Sequence, residues 1–150
     1  MAEFVGTGAI PQNVALNNPI LFDATIPCAR GCVIHEDGTG NFILRGITNN
    51  CFARYQITFN GNVTLPEGAT VTPVGIAISV NGETRPSSLA IANPAIGEYV
   101  NLTSTAIITV PKGCCFDVAI RYVSGVTDGT TTPTPTITVA NSNLVFTRIA

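Results

Sequence analysis

The chain has 150 residues, 45% apolar and only 11% charged, and its seven basic and nine acidic residues leave a formal charge of −2. A single lysine, Lys112, and six scattered arginines form no basic stripe, which argues against nucleic acid, and no apolar run reaches membrane-spanning length. One domain of this size buries enough surface to fold without a metal or a staple. With so few charges, its polar surface has to be made of Thr, Asn and Ser.

Residues 1–18 are small and polar, contain Pro11 and Asn17-Asn18, and read as an N-terminal arm; residues 19–150 then form a single domain. The start lacks the basic region and apolar core of a secretory signal, so synthesis in the cytoplasm is expected. Pro19–Thr25 reads as a strand and Pro27–Gly31 as a turn. Val33–Glu36 and Asn41–Arg45 flank Asp37-Gly38, a pair that supplies the positive backbone angles of a tight hairpin. In Ala53–Asn60, Ala53, Tyr55, Ile57 and Phe59 alternate with Arg54, Gln56, Thr58 and Asn60. A period of two is the mark of a half-buried antiparallel strand.

Asn60-Gly61 is expected to turn or bulge before Asn62–Leu65. Gly75–Val80 sets Ile76, Ile78 and Val80 on a core face and Gly75, Ala77 and Ser79 on a small one, suited to solvent or to another subunit. Asn81-Gly82 is the strongest hairpin signal and leads into Glu83–Ala92, broken by Pro86. Tyr99–Val110 and Cys115–Val123 are strands joined at Pro111-Lys112-Gly113. Thr127–Thr136, rich in Thr and Pro, reads as a solvated loop. In Ile137–Ile149 the apolar phase switches around Asn141-Ser142-Asn143, which predicts a bulge. No helical period is convincing. The sum is an all-β, antiparallel two-sheet sandwich of about eight to ten strands.

Chemistry-bearing residues are sparse. His35 is the single histidine, and any Ser–His–Asp or Cys–His centre would have to use it with Glu36, Asp37 or a cysteine. Its setting reads more simply as a strand running into an exposed hairpin. No carboxylate pair, calcium loop or phosphate loop is present, so neither an enzyme nor a cofactor is expected. Cys28, Cys32, Cys51, Cys114 and Cys115 are odd in number and cannot all pair within one chain. They are buried thiols with or without one disulfide, intersubunit bridges, or a zinc site. The zinc reading would use Cys28, Cys32, Cys51 and Cys114, but no second closely spaced pair supports it. Cys114 and Cys115 should face different environments.

Five passages read in order carry a resemblance. They are YQITFNGNVTLP (Tyr55–Pro66), VGIAISVNGE (Val74–Glu83), PSS (Pro86–Ser88), VNLTSTAIITVPKG (Val100–Gly113) and ANSNLVFTRI (Ala140–Ile149). Together they resemble the tumour-necrosis-factor/C1q-like jelly rolls of bacteria and their phages, among them the C-terminal domain of collagen-like spore-surface glycoproteins. The resemblance covers Ala53 to Ala150, and no Gly-X-Y stalk accompanies it. It implies a two-sheet jelly roll that trimerises about a three-fold axis, with one sheet packed on its neighbours through apolar side chains. The residues expected at oligomer or docking contacts are Phe4, Val5, Tyr55, Phe59, Ile76, Ile78, Tyr99 and Phe146. The function this points to is a structural homotrimer on a virion surface, a capsid decoration or head-fibre protein docked on a major capsid protein. The alternatives are a spore- or cell-surface trimer and a carbohydrate- or receptor-binding module of a phage tail. A glycan would then meet the Thr127–Thr136 loop and the Asn81-Gly82 hairpin, without the Trp platform that sugars commonly use.

Overall fold

A computed structural model describes residues 2–8, 11–26, 33–124 and 135–149, with backbone alone for 2–8 and 24–26. Among them are β1 Ala2–Gly8, β2 Gln12–Val14, β3 Ala24–Ile26, β4 Val33–His35, β5 Phe42–Arg45, β6 Phe52–Thr64 and β7 Val74–Val80. The chain continues through β8 Glu83–Thr84, a 3-10 turn at Pro86–Ser88, β9 Ala90–Ala92, β10 Val100–Pro111, β11 Cys115–Ser124 and β12 Ile137–Arg148. Sheet A runs β10-β6-β12-β1-β3, with β2 also on β12. Sheet B runs β4-β5-β11-β7-β8, with β9 also on β7. The expected antiparallel two-sheet jelly-roll sandwich is the fold the chain forms.

Alternation builds the core directly. On β6, Ala53, Tyr55, Ile57 and Phe59 are fully buried, and their partners on β10 and β12, including Ile108 and Leu144, are buried with them. From sheet B come Phe42, Leu44, Ile76, Ile78, Val118 and Ile120. Aromatic rings join the two layers. Phe22 meets Phe42 edge-on at 5.4 Å and Phe59 at 6.5 Å, and Phe42 lies 5.0 Å from Phe146. Such geometry adds about 0.5–1.5 kcal/mol per pair beyond the area buried.

Several sequence expectations are corrected. The supposed N-terminal arm is an integral part of sheet A: β1 lies between β12 and β3, with Val5 opposite Val145, and β2 pairs with the start of β12. The segment after it is not one strand. Pro19 bridges Arg121 and Phe22 bridges Thr39 before β3 begins. Asn60-Gly61 makes no turn, because β6 runs straight through it. The irregularity sits on the partner strand, where Ala140 faces Asn62 and Asn143 faces Asn60, so Asn141 and Ser142 together oppose Gly61. Asn141 takes φ 53°, and this extra residue switches the apolar phase of β12 as its sequence predicted. The turn at Pro27–Gly31 and most of the Thr127–Thr136 loop lie outside the described residues.

The small face of β7 is also reassigned, to the interior of a single chain. A side chain at Gly75 would press on Leu89 and Val123, and Ala77 and Ser79 are buried. The Arg121 side chain lies across this face, its Nε donating to Ser79 Oγ at 3.0 Å and its Nη1 to the Asn17 carbonyl at 2.9 Å. The smallness of these residues makes room for that guanidinium and its aliphatic stem.

Candidate assembly surface

The outward side chains of sheet A form one broad face. From β10 it takes Asn101, Thr103, Thr105, Ile107 and Thr109. β6 supplies Arg54, Gln56, Thr58, Asn60 and Asn62, and β12 supplies Asn143, Val145 and Thr147. Arg54 is the single ionisable group in that set. The polar groups satisfy one another across the strands. Asn101 Nδ2 donates to Asn60 Oδ1 at 2.6 Å and to Asn62 Oδ1 at 3.3 Å, and Thr103 Oγ1 donates to Asn101 Oδ1 at 3.2 Å. Thr105 Oγ1 gives its proton to the Ile57 carbonyl at 3.0 Å and sits 3.4 Å from Thr58 Oγ1. Paired amides and hydroxyls of this kind need less water than free charges do, so the face is inexpensive to dehydrate. Beside them Ile107 is 53% exposed, and Phe52 projects at one end of the face.

β10 is also the outer strand of sheet A, twelve residues long and without a charged side chain. Natural sheets usually blunt such an edge with Lys, Pro or a bulge, because its unpaired backbone invites another chain. Here part of one flank is met by the 3-10 turn, where Ser104 Oγ donates to the Ser88 carbonyl. The remainder is a long uncharged border to an uncharged face.

Of the residues expected at oligomer contacts, Tyr55, Phe59, Ile76, Ile78 and Phe146 are fully buried inside one sandwich. This corrects the sequence reading: in a two-layer fold the largest apolar side chains fill the gap between sheets and are spent there. Tyr99 is half exposed, just before β10. The backbones of Phe4 and Val5 pair with Phe146 and Val145, and their side chains lie outside the described residues. What the sequence reading passed over is the Asn–Thr lattice. Its signal was visible as Asn60 and Asn62 at consecutive outward positions of β6, but the partners on β10 become known only with the register.

Of the proposed zinc ligands, Cys28 and Cys32 lie outside the described residues and Cys51 and Cys114 are exposed free thiols; no group of three ligating side chains is found among the described residues. Cys114 and Cys115 share an environment after all, because Cys114 belongs to the turn before β11 and both are exposed. Backbone bonds from Lys112 N to the Cys51 carbonyl and from Gly46 N to the Cys114 carbonyl, each 2.9 Å, bring these cysteines to one end of the sandwich. His35 is a packing residue. Its ring stacks on Phe42 at 4.0 Å and 7°, and Nε2 lies 2.8 Å from the Thr39 carbonyl, to which it can only donate. The other ring nitrogen, Nδ1, lies 3.9 Å from Asp37 Oδ1. At the far end, Tyr122 donates its hydroxyl to the Pro135 carbonyl at 2.9 Å, and burial pushes its pKa up from 10.0 to about 12.

Solved structures share this architecture across almost the whole chain. The globular domain of zebrafish complement 1qA is 13% identical with a TM-score of 0.58, covering 96% of this chain and 95% of that one. The Eiger TNF of S. frugiperda is 11% identical with a TM-score of 0.63, covering 99% and 93%. Murine APRIL is 11% identical with a TM-score of 0.55, covering 97% and 98%. No family model and no curated protein matches the chain. The fold is the TNF/C1q-like jelly roll.

Proposed function

We propose that this chain is a non-enzymatic structural module that works as a homotrimer on the outside of a large assembly. The observation carrying the reading is the sheet A face with its β10 border: one ionisable group among the outward residues of three long strands, self-satisfied amides and hydroxyls, and a half-exposed Ile107. Edge-on-face contact is heterologous, and three such contacts close a ring. A three-fold ring is also what the resemblance of the sequence to TNF/C1q-like jelly rolls implies. Light scattering on the purified chain should return about three times its 15.6 kDa mass. A monomer at micromolar concentration would overturn the reading.

Within that class we favour decoration of a tailed-phage capsid, which places the protein on the virion surface. Support comes from the charge-poor, Thr-rich surface and from the exposed end of the sandwich, where Ile47, Phe52, Cys51, Cys114 and Lys112 gather. That end is the docking surface in this reading. Co-sedimentation with undecorated tailed-phage capsid shells should be lost when Ile47 and Phe52 are both changed to Glu. Failure of the unaltered protein to pellet with such shells would move the assignment to a spore or cell surface.

A further inference from the structure

The Asn81-Gly82 hairpin borders a depression of about 490 Å³ lined by Asn81, Glu83, Thr84, Arg85, Pro86 and Phe116, together with the buried Val80. We propose that this depression is a binding site for a neutral sugar residue. Phe116 is half buried, packed on the core on one side and forming part of the pocket wall on the other. A fixed aromatic ring of this kind offers an apolar surface to the C–H side of a pyranose.

Around it stand a carboxylate that only accepts, a guanidinium that only donates and an amide that does both. Adjacent sugar hydroxyls need that combination. No salt bridge among the described residues involves Glu83 or Arg85, although both line the same depression. In a chain that is only 11% charged, one residue of each sign lines this depression, and no ion pair joins the two. Their charges sum to zero, which disfavours an anionic or a cationic ligand relative to a neutral polyol.

The platform is rigid. Asn81 at φ 52° and Gly82 at φ 84° form a tight two-residue turn with both residues left-handed. Asp117 N donates to Asn81 Oδ1 at 3.0 Å, and Asn81 N donates to the Asp117 carbonyl at 2.8 Å. Arg85 is held by its N–H on the Ile78 carbonyl at 2.8 Å, and its own carbonyl accepts from Ser88 Oγ at 2.7 Å. Two charged side chains therefore ride on a backbone that does not have to be ordered on binding. The site is built from β7, β8, β11 and the start of the 3-10 turn, and it uses none of the sheet A side chains assigned to the assembly face.

The test is an amide-resolved NMR titration of the full chain with glucose, galactose, mannose, rhamnose, N-acetylglucosamine and glucuronate, each to about 50 mM, a range suited to millimolar sites. At least one neutral sugar should shift the amides of Asn81, Glu83, Arg85 and Phe116. Glu83→Gln and Arg85→Gln should each weaken that sugar about ten-fold, the loss expected for a charge-assisted hydrogen bond. Both residues are exposed, so an unchanged melting temperature will show the variants folded. No response to any sugar, a response to glucuronate alone, shifts confined to other residues, or full binding by the double variant would each overturn the proposal. Light scattering on the same samples reports the trimer separately, so either idea can fail without the other.

Discussion

Apart from Phe52 and Pro111 at their ends, the outward side chains of β6 and β10 are Thr, Asn, Gln, one Ile and a single Arg, whereas those of β5 and β11 include the exposed Arg45 and Asp117. Both faces come from the same alternation, and both back onto the same core. The difference between them means that the low charge of the chain is not spread evenly. It is concentrated on one flank, while the other keeps charges of both signs, as a solvated surface does. Low charge throughout would reflect a general composition. Low charge on one face of one sheet, running out to a border strand that carries no charged side chain, marks where something else packs.

The largest effect should follow from charging that flank. Thr58→Glu together with Thr105→Glu places two carboxylates where the hydroxyls now lie 3.4 Å apart. Buried between subunits without partners, they should abolish association and leave a folded monomer, read by light scattering and far-UV circular dichroism. Next comes the support common to both faces. Phe42→Ala removes a ring touching Phe22, His35 and Phe146, and should cost about 3–5 kcal/mol in denaturant unfolding.

A smaller effect is expected at alkaline pH. The folded pKa of Tyr122 is raised from 10.0 to about 12 by burial, so the stability linked to its neutral form is complete below pH 10. That stability is lost as pH rises from 10 through 12, by an amount on the order of 1 kcal/mol once solvent screening is counted. Tyr122→Phe should flatten this part of the stability profile. The smallest effect belongs to sheet B's outer face. Ile34→Glu there, at a position 48% exposed, should leave both mass and stability within about 0.5 kcal/mol of the parent.

The fold was legible wherever alternation was strong. β6, β10 and β11, the Asn81-Gly82 hairpin and the bulge at Asn141 all follow from spacing and turn chemistry. β1 was not legible, because Ala2–Gly8 carries no alternation and is a strand by virtue of the β12 edge it completes. The small residues of β7 misled for a similar reason: nothing in their order announces that Arg121 will lie over them. The contact residues were harder still. Period two separates an inner from an outer face but does not say which apolar residues remain once the core is filled, and Tyr55, Phe59 and Phe146 went to the core. The polar lattice needed the β6–β10 register, which no local pattern contains.

The most direct measurement compares thiol modification at one position on each flank, with the native cysteines replaced by Ser. Thr105→Cys should be protected from a maleimide at concentrations where three chains associate, and should become reactive on dilution. Ile34→Cys should react rapidly throughout. Equal, rapid modification of both positions at every concentration would mean that the uncharged face of sheet A is covered by nothing.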